Sequence, residues 1–366
     1  MNVLVVSHLA LPHVGGVENL VDLELRALVQ AGHSATLVTS NGTGRGLDPD
    51  YGPRVRIERV RAWHGLERRA GIPYPLFAPR LLSTLASEVR RADVVHAHGF
   101  LFPGTIVALA LARLLGKPSI LTDHGGIQTF GSKFTTAIAR LGAETVGRLS
   151  ALLATRAVVY NARIGATLAK FRRRNDVEFL FNPVDANLFH PPSPEQRAAA
   201  RRTLGWCERP RVLFVGRLIA TKGVPLVLGL ANAPWELVFC GPGDPAILGP
   251  LPRAGVEYLP PRPQSELTTL YHAADLLVLP AAVREGFPLV VQEALACGLP
   301  VVLGDDPGFS PYRGIAGLTF TDRSPADLRA KVERALAAGR IVGERPFPAL
   351  LDWIATLFPE VPGARP

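Results

Sequence analysis

The stretch Leu276-Leu277-Val278-Leu279-Pro280, followed by EGFPLVVQEALACG at 285–298 and a second apolar run at 300–303, decides the fold class. Large apolar residues stopped by a proline predict a strand buried on both faces, and the run 289–297 predicts an apolar helix. A strand, a helix and another strand in succession form the crossover unit of a parallel sheet, which needs helices over both faces. The bend Glu285-Gly286-Phe287-Pro288 carries a second message. The first N–H groups of a helix lack intrahelical partners and sit at the positive end of its dipole, so they seat anions. Pro288 has no N–H, which leaves Phe287, Leu289 and Val290 as donors beside Gly286. Glu285 and Glu293, read as bracketing the helix entrance, would repel a phosphate but accept strongly from neutral hydroxyls beside it. Phosphate flanked by hydroxyls describes a nucleotide sugar. An ordinary capped helix with a surface glutamate at each end is the other reading of these residues.

Outward from this unit, short β-branched runs alternate with amphipathic stretches along the whole chain, the pattern of parallel strands joined by crossover helices. Strands are predicted at 3–6, 35–39, 94–97, 119–122, 157–159 and 177–181, with helices clearest at 17–31, 104–115 and 135–149. The series restarts at 211–215 after a proline-rich, then alanine- and arginine-rich connection at 190–202. It continues with strands at 236–240, 256–259, 276–279 and 300–303 and helices at 264–273 and 289–297. A chain of 366 residues exceeds what one core usually holds. The expected fold is therefore α/β, with two doubly wound, Rossmann-like domains. A ligand they share would lie outside the carboxyl ends of the strands, and each motif below follows a predicted strand.

The longest apolar stretch, 101–115, is broken by Pro103 and Arg113 and falls short of the ~18–20 residues needed to cross a bilayer. The opening MNVLVVSHLALP has no basic start and no small-residue cleavage site, so it reads as a buried strand and the protein is expected in the cytoplasm. Cys207, Cys240 and Cys297 are widely spaced among apolar neighbours, which argues against a disulfide framework or a zinc site. Lysine plus arginine outnumber aspartate plus glutamate by 22 to 14 in residues 1–190, but only by 18 to 17 in 191–366. The basic half, with Arg172-Arg173-Arg174 and Arg68-Arg69 as foci, favours an anionic partner, either a phospholipid surface or an acidic acceptor. A solvated, arginine-rich surface is the plainer alternative. No aromatic-interleaved basic stripe accompanies these arginines, so nucleic acid is not an expected partner.

Gly15-Gly16-Val17-Glu18 follows the first strand and opens the first long helix, where glycines admit a phosphate or sugar to the backbone; a plain strand-to-helix turn reads the same way. Gly216-Arg217-Leu218 and Thr221-Lys222-Gly223 place a guanidinium and an ammonium on one loop just past a strand, suited to neutralising a diphosphate leaving group. Solvent-facing charge is the alternative. Cys240-Gly241-Pro242-Gly243 ends the next strand and offers a further backbone approach. His96 and His98 alternate along one strand and share a face, and Asp123-His124-Gly125 follows the next. His124 is expected to hydrogen-bond the transferred sugar or the reacting hydroxyl, His98 to support that pocket, and His96 to be buried and satisfied. No acidic or thiol ligand joins the histidines at a recognisable spacing, so no metal site is expected there. Asp48-Pro49-Asp50 looks like an acidic metal motif but lies in a glycine-rich loop with no apolar strand before it, and reads as a turn.

Together these motifs resemble the retaining, GT-B-fold, nucleotide-sugar glycosyltransferases of family 4, over nearly the whole chain and in the family's order. The resemblance rests on Gly15-Gly16, Asp123-His124-Gly125, Asn182-Pro183-Val184-Asp185, Gly216-Arg217-Leu218 with Lys222-Gly223, and Glu285 and Glu293 with seven residues between them. It implies two Rossmann-like domains facing a central cleft, 1–190 for the acceptor and 191–345 for the donor. Residues 346–366 would return across the cleft, with 352–358 as the returning helix. It further implies that Arg217 and Lys222 hold the donor diphosphate, Glu293 the ribose hydroxyls and Glu285 the sugar near its 3- and 4-hydroxyls. The implied reaction moves a hexosyl-type sugar from a UDP- or GDP-sugar, a substrate rather than a cofactor, to a hydroxyl of a lipid-linked, polysaccharide or small-molecule acceptor. Configuration is retained by front-face attack, with no metal and no other cofactor. Pro183 stands where the family usually has glycine, and the segment 304–317 is shorter than usual. A sugar-nucleotide isomerase or hydrolase on the same scaffold is the alternative, since a fold does not dictate chemistry.

Overall fold

The residues Asn2-Val3-Leu4-Val5-Val6 form the first strand, β1 (Asn2–Val6), and its alternate side chains enter two separate cores. Leu4 and Val6 join one buried cluster, Val3 and Val5 the other, as a strand sandwiched between two helical layers requires. The computed structural model describes residues 1–13, 15–42, 47–70, 74–126, 140–173, 176–282, 286–343 and 346–359. Around β1 it builds a unit of Met1–Pro183 with Ala349–Pro366; Val184–Pro348 form a second unit.

In the first unit β1 is followed by β2 (Ser34–Ser40), β3 (Val55–Val60), the short antiparallel pair β4 (Ala62–Trp63) and β5 (Leu76–Phe77), then β6 (Val94–His98), β7 (Ser119–Asp123), β8 (Arg156–Val159) and β9 (Val177–Phe179). Seven of these make one parallel sheet in the order β3-β2-β1-β6-β7-β8-β9. The order reverses between β1 and β6, the switch point at which a doubly wound sheet opens a crevice at its carboxyl edge. Helix α1 (Gly16–Gln30) covers one face through Leu20, Val21, Leu25 and Leu28, and α2 (Pro103–Leu114) covers the other through Ala108, Leu109 and Ala112.

The helix Leu350–Leu357 brings the chain back to this unit, where Trp353, Ile354 and Leu357 are buried in the same cluster as α1. It begins two residues before the predicted 352–358, and the Arg156 guanidinium holds the Leu357 carbonyl at 2.6 Å.

The second unit contains β10 (Arg211–Val215), β11 (Glu236–Cys240), β12 (Val256–Leu259), helix α3 (Gln264–Ala273), β13 (Leu276–Leu279), helix α4 (Leu289–Ala296), β14 (Val301–Gly304) and β15 (Leu318–Thr321). Its six strands are parallel in the order β12-β11-β10-β13-β14-β15, reversing between β10 and β13. Two doubly wound, parallel-sheet units are thus present, as the alternation of runs requires.

Three expectations are corrected. The stretch 190–202 is no free connection, because Pro194–Thr203 is helical and opens on a capping box between Ser193 and Gln196. Arg197 and Arg201 of that helix bind Asp275 at 2.7 and 3.2 Å, which ties it to the second unit. β3 was missed because VRIERV places charged residues between its apolar ones at the sheet edge. The helix expected at 135–149 is described only from Arg140 onward, where a five-residue π-helical stretch, Ala143–Gly147, leads into Arg148–Leu153.

Candidate functional site

In the second unit the ends of β10, β11 and β13 carry three loops that are fastened to one another. Leu218 N–H donates to Pro242 O at 2.7 Å and Gly216 N–H to Cys240 O at 3.0 Å, joining the loops after β10 and β11. Ala282 N–H donates to Thr221 O at 2.9 Å, joining the β10 loop to the segment after β13. The glycines explain why the loops can touch. A Cβ at Gly241 would overlap the Gly216 carbonyl, and one at Gly223, which has φ of 87°, would run into Pro280. Gly241 was expected as a backbone approach to phosphates; its N–H is instead directed to Leu259 O at 3.4 Å, and its lack of a side chain serves this loop-to-loop contact. Arg217 is exposed on this shared platform, and Lys222, at the end of a short 3₁₀ turn, is partly exposed. The two cations therefore sit on one loop at the carboxyl edge, next to the switch point between β10 and β13.

Helix α4 starts at Leu289 with Pro288 as its N-cap, in extended conformation (φ −67°, ψ 129°). Leu289 and Val290 are left with N–H groups that have no intrahelical acceptor. Phe287 is buried, stacked on Tyr312 at 3.5 Å and edge-on to Phe309, and so anchors the bend through the core. Gly286 is partly exposed, and Glu285 lies outside the described residues.

Glu293 does not bracket the helix entrance. It lies in the second turn of α4, buried, with one carboxylate oxygen accepting from Gln264 Nε2 at 2.7 Å and the other from Tyr271 OH at 2.8 Å. Burial raises its pKa, against the two hydrogen bonds that lower it. A carboxylate offers about four acceptor positions, so two remain beyond these partners. Gln264 and Tyr271, both on α3, were not foreseen: Gln264 opens the helix beside exposed Ser265 and Glu266, and Tyr271 reads as an ordinary core aromatic.

In the first unit the carboxyl ends of β6 and β7 hold a chain of buried polar groups. His96 Nε2 lies 2.7 Å from Thr122 Oγ1, and His96 Nδ1 lies 2.6 Å from Glu24 Oε1. Glu24 Oε2 lies 2.9 Å from His98 Nε2, and His98 Nδ1 lies 2.9 Å from His124 Nε2. Glu24, His96 and His98 are fully buried, whereas His124 is partly exposed. His96 is the satisfied core histidine that its place on the strand suggested, and His98 does brace His124.

Burial pushes the Glu24 carboxyl up, but attraction and hydrogen bonds from His96 and His98 outweigh it and pull the group down to about 2. Burial lowers His98, and it holds His124 well below the usual imidazole value with help from the neighbouring histidines. His8, after β1, stacks on Phe102 at 3.6 Å and is lowered to about 4, mainly by burial. Asp123 organises its own loop: its Oδ2 accepts from Gly126 N at 2.6 Å, and burial raises it to about 6.

Glu24 is the functional candidate that sequence reading missed, although the signal was present. It lies four residues from both Leu20 and Leu28, in the middle of the buried stripe of α1, where an isolated carboxylate is costly without a partner.

Gly15 is the N-cap of α1, and a Cβ there would collide with the Glu18 carboxylate, which reaches His13 Nδ1 at 3.0 Å. Gly16 has no such packing reason, since a Cβ there would meet open space. Asp48 pairs with Arg59 at 2.9 Å, and Asp50 accepts from Gly52 N at 2.8 Å, the local bond of a turn.

Comparison with known proteins agrees with this arrangement. The model of Glycosyltransferase Family 4 matches residues 14–188, and that of Glycosyl transferases group 1 matches residues 196–342. The chain is 31% identical to a GDP-mannose-dependent alpha-mannosyltransferase of Mycobacterium tuberculosis, over 100% of its own length and 98% of the relative's. It is 26% identical to the sulfoquinovosyl transferase SQD2 of Arabidopsis thaliana over 88% of its own length, but spans only 64% of that protein. Among solved structures, Anabaena Alr3699/HepE in complex with UDP superposes with a TM-score of 0.67 at 16% identity, covering 92% of this chain and 90% of that one. Fold and matches together define a glycosyltransferase of the GT-B type. The chain belongs to the group 1, family 4 glycosyltransferases.

Proposed function

We propose that the protein is a retaining, metal-independent hexosyltransferase using a UDP- or GDP-sugar, with the donor held by the second unit and the acceptor by the first. The observation that carries this reading is the platform of fastened loops at the β10/β13 switch point. It holds Arg217 and Lys222 beside the segment leading into α4, where a pyrophosphate would find two cations and the free N–H groups of Leu289 and Val290. Glu293 would share its remaining acceptor positions with the ribose, Glu285 would take sugar hydroxyls, and Gly286 and Phe287 would shape the turn. Gly15 and Gly16 would leave room at the start of α1. The platform carries two cations of its own, and Asp48 and Asp50 make the local bonds of a turn, which supports the metal-independent route.

Thermal-shift titration with UDP-, GDP-, ADP- and dTDP-sugars tests the donor. The matching donor raises the melting temperature, with about 2.7 kcal/mol of stabilisation at a hundred times its Kd. Nucleoside diphosphate released only when acceptor is present supports transfer. Conversion of the nucleotide sugar without acceptor would establish the isomerase or hydrolase reading in its place.

We further propose cytoplasmic residence with peripheral contact at an anionic membrane, where a lipid-linked acceptor would be met. No helix among the described residues is long and apolar enough to cross a membrane. The helical segment 140–153 exposes Leu141, Leu149 and Leu152 by 66%, 49% and 52%, with Arg140 and Arg148 interspersed. Exposed leucines beside arginines suit the headgroup boundary. Flotation with vesicles containing anionic phospholipid is expected, weakening as salt is raised. Absence of flotation at low salt would leave a soluble acceptor.

A further inference from the structure

We propose that Glu24 fixes the tautomer of His124 through His98, so that His124 presents an unprotonated Nδ1 as a fixed acceptor for a ligand hydroxyl. Glu24 is then a positioning residue, acting two imidazoles away from the ligand. The inference rests on the transferase reading only for the nature of the ligand; the proton arrangement stands on this structure alone.

The argument follows the hydrogen bonds. An ionised carboxylate only accepts. Both oxygens of Glu24 face ring nitrogens, so His96 Nδ1 and His98 Nε2 must each carry a proton and donate to it. A neutral imidazole has one proton. His98, protonated at Nε2, therefore accepts at Nδ1, and its partner 2.9 Å away, His124 Nε2, must be the donor. The single proton of His124 is thereby spent on His98, and its Nδ1 carries a lone pair. The other branch closes the same way, with Thr122 Oγ1–H donating to His96 Nε2.

The reverse arrangement would need a protonated Glu24 donating to His98, with every proton beyond it reversed and His124 protonated at Nδ1. The two imidazoles hold Glu24 below the ordinary carboxylate range and burial keeps His98 below the ordinary imidazole range, which favours the ionised acid beside a neutral ring.

Glu24, His96 and His98 also bring three potential ligand atoms within reach of one ion. Ligand atoms of a tetrahedral zinc site stand about 3.3 Å apart, given bonds of ~2.0–2.1 Å. The carboxylate–imidazole separations of 2.6 and 2.9 Å are those of hydrogen bonds.

The consequence concerns what His124 can recognise. An imidazole with a bare Nδ1 takes a hydrogen bond from an alcohol and gives none to a phosphate oxygen. His124 thus selects a sugar or acceptor hydroxyl and orients it, while phosphate recognition stays with cations and backbone N–H groups.

The test is long-range proton–nitrogen spectroscopy of the full chain with nitrogen-15 histidine, near neutral pH and without substrate. The expected spectrum shows His124 and His98 protonated at Nε2 and bare at Nδ1; a proton on Nδ1 of His124 overturns the proposal. In a Glu24→Leu variant the carboxylate no longer sets the direction, so His124 should become a mixture of tautomers. Turnover should then fall about tenfold, the worth of one hydrogen bond to a neutral hydroxyl, with the donor KM within about twofold. A folded variant with His124 unchanged, or with altered tautomers and full turnover, also overturns it. If the variant does not fold, the wild-type spectrum decides. Predicted tautomers in a protein that transfers no sugar would count against the transferase reading and support the relay.

Discussion

Lys222→Ala and Arg217→Ala are each expected to lower turnover by about a hundred- to a thousandfold, the cost of removing one preorganised donor from a site where negative charge develops. In the proposed reaction the sugar–phosphate bond breaks before full bonding to the acceptor, so the diphosphate gains charge in the transition state. A cation already held in place stabilises that charge without reorganising. The loop geometry supplies the holding: the β10 loop is fastened to the β11 loop through Leu218 and Pro242 and to the segment after β13 through Thr221 and Ala282. Loss should therefore appear mainly in kcat, because a contact that strengthens in the transition state adds less to ground-state binding. Arg217 is exposed, so its replacement should leave the fold intact, checked by an unchanged melting temperature. Steady-state kinetics with the best donor decides the matter. Both variants turning over at the parent rate would remove the diphosphate role of this loop.

Acid should destabilise the protein between about pH 7 and about pH 5, because several buried imidazoles must take up a proton there. His8 has a folded-state pKa of about 4, below its unfolded value, so it contributes stability that is present above the unfolded pKa and lost as pH falls toward 4. Between about pH 7 and pH 5 that amounts to about 2 kcal/mol for this one residue. His98 and His124, also lowered, act in the same direction. Asp123 opposes them. Its folded pKa of about 6 lies above its unfolded value, so the folded state gains about 1 kcal/mol as pH falls over the same interval. His33 and His272 are lowered by burial as well, and Glu293 is raised like Asp123, so five histidines against two carboxyls leave a net loss. Denaturant unfolding at the two pH values measures it, and His8→Leu should shrink the difference by about 2 kcal/mol while replacing the ring stack on Phe102 with an apolar contact. A His8→Leu protein with the parent's pH dependence would refute the assignment.

Much of the architecture was legible because strands of a parallel sheet are buried on both faces and so spell unbroken apolar runs. β13 and α3 stand where LLVL and QSELTTLYHA place them. β3 escaped because an edge strand can expose Arg56 and carry Glu58 and Arg59 among its apolar residues. The helix Pro194–Thr203 escaped because its polar surface and flanking prolines imitate a linker, although Ser193 and Gln196 spelled its cap.

At the site, loops that follow strands announced Arg217, Lys222 and His124. Their partners did not announce themselves. Glu24 lies on a helix far from His98 in sequence and Tyr271 on the helix before β13, and only the packing of each helix on its sheet brings them to His98 and Glu293. The setting of Glu293 was misread for the same reason: helix α4 begins one residue after Pro288, and the side chain that seemed to stand at its mouth points into packing against α3.

The helix Leu350–Leu357 has a consequence for biosynthesis. Because Trp353, Ile354 and Leu357 complete a core begun by β1 and α1, a ribosome must translate the whole of Val184–Pro348 before that core can close. The second unit is free to mature on emerging, while the half made earliest waits with an uncovered apolar face for its final helix. Nascent chains arrested before residue 350 should therefore hold a more protease-resistant fragment from the later half than from the earlier one.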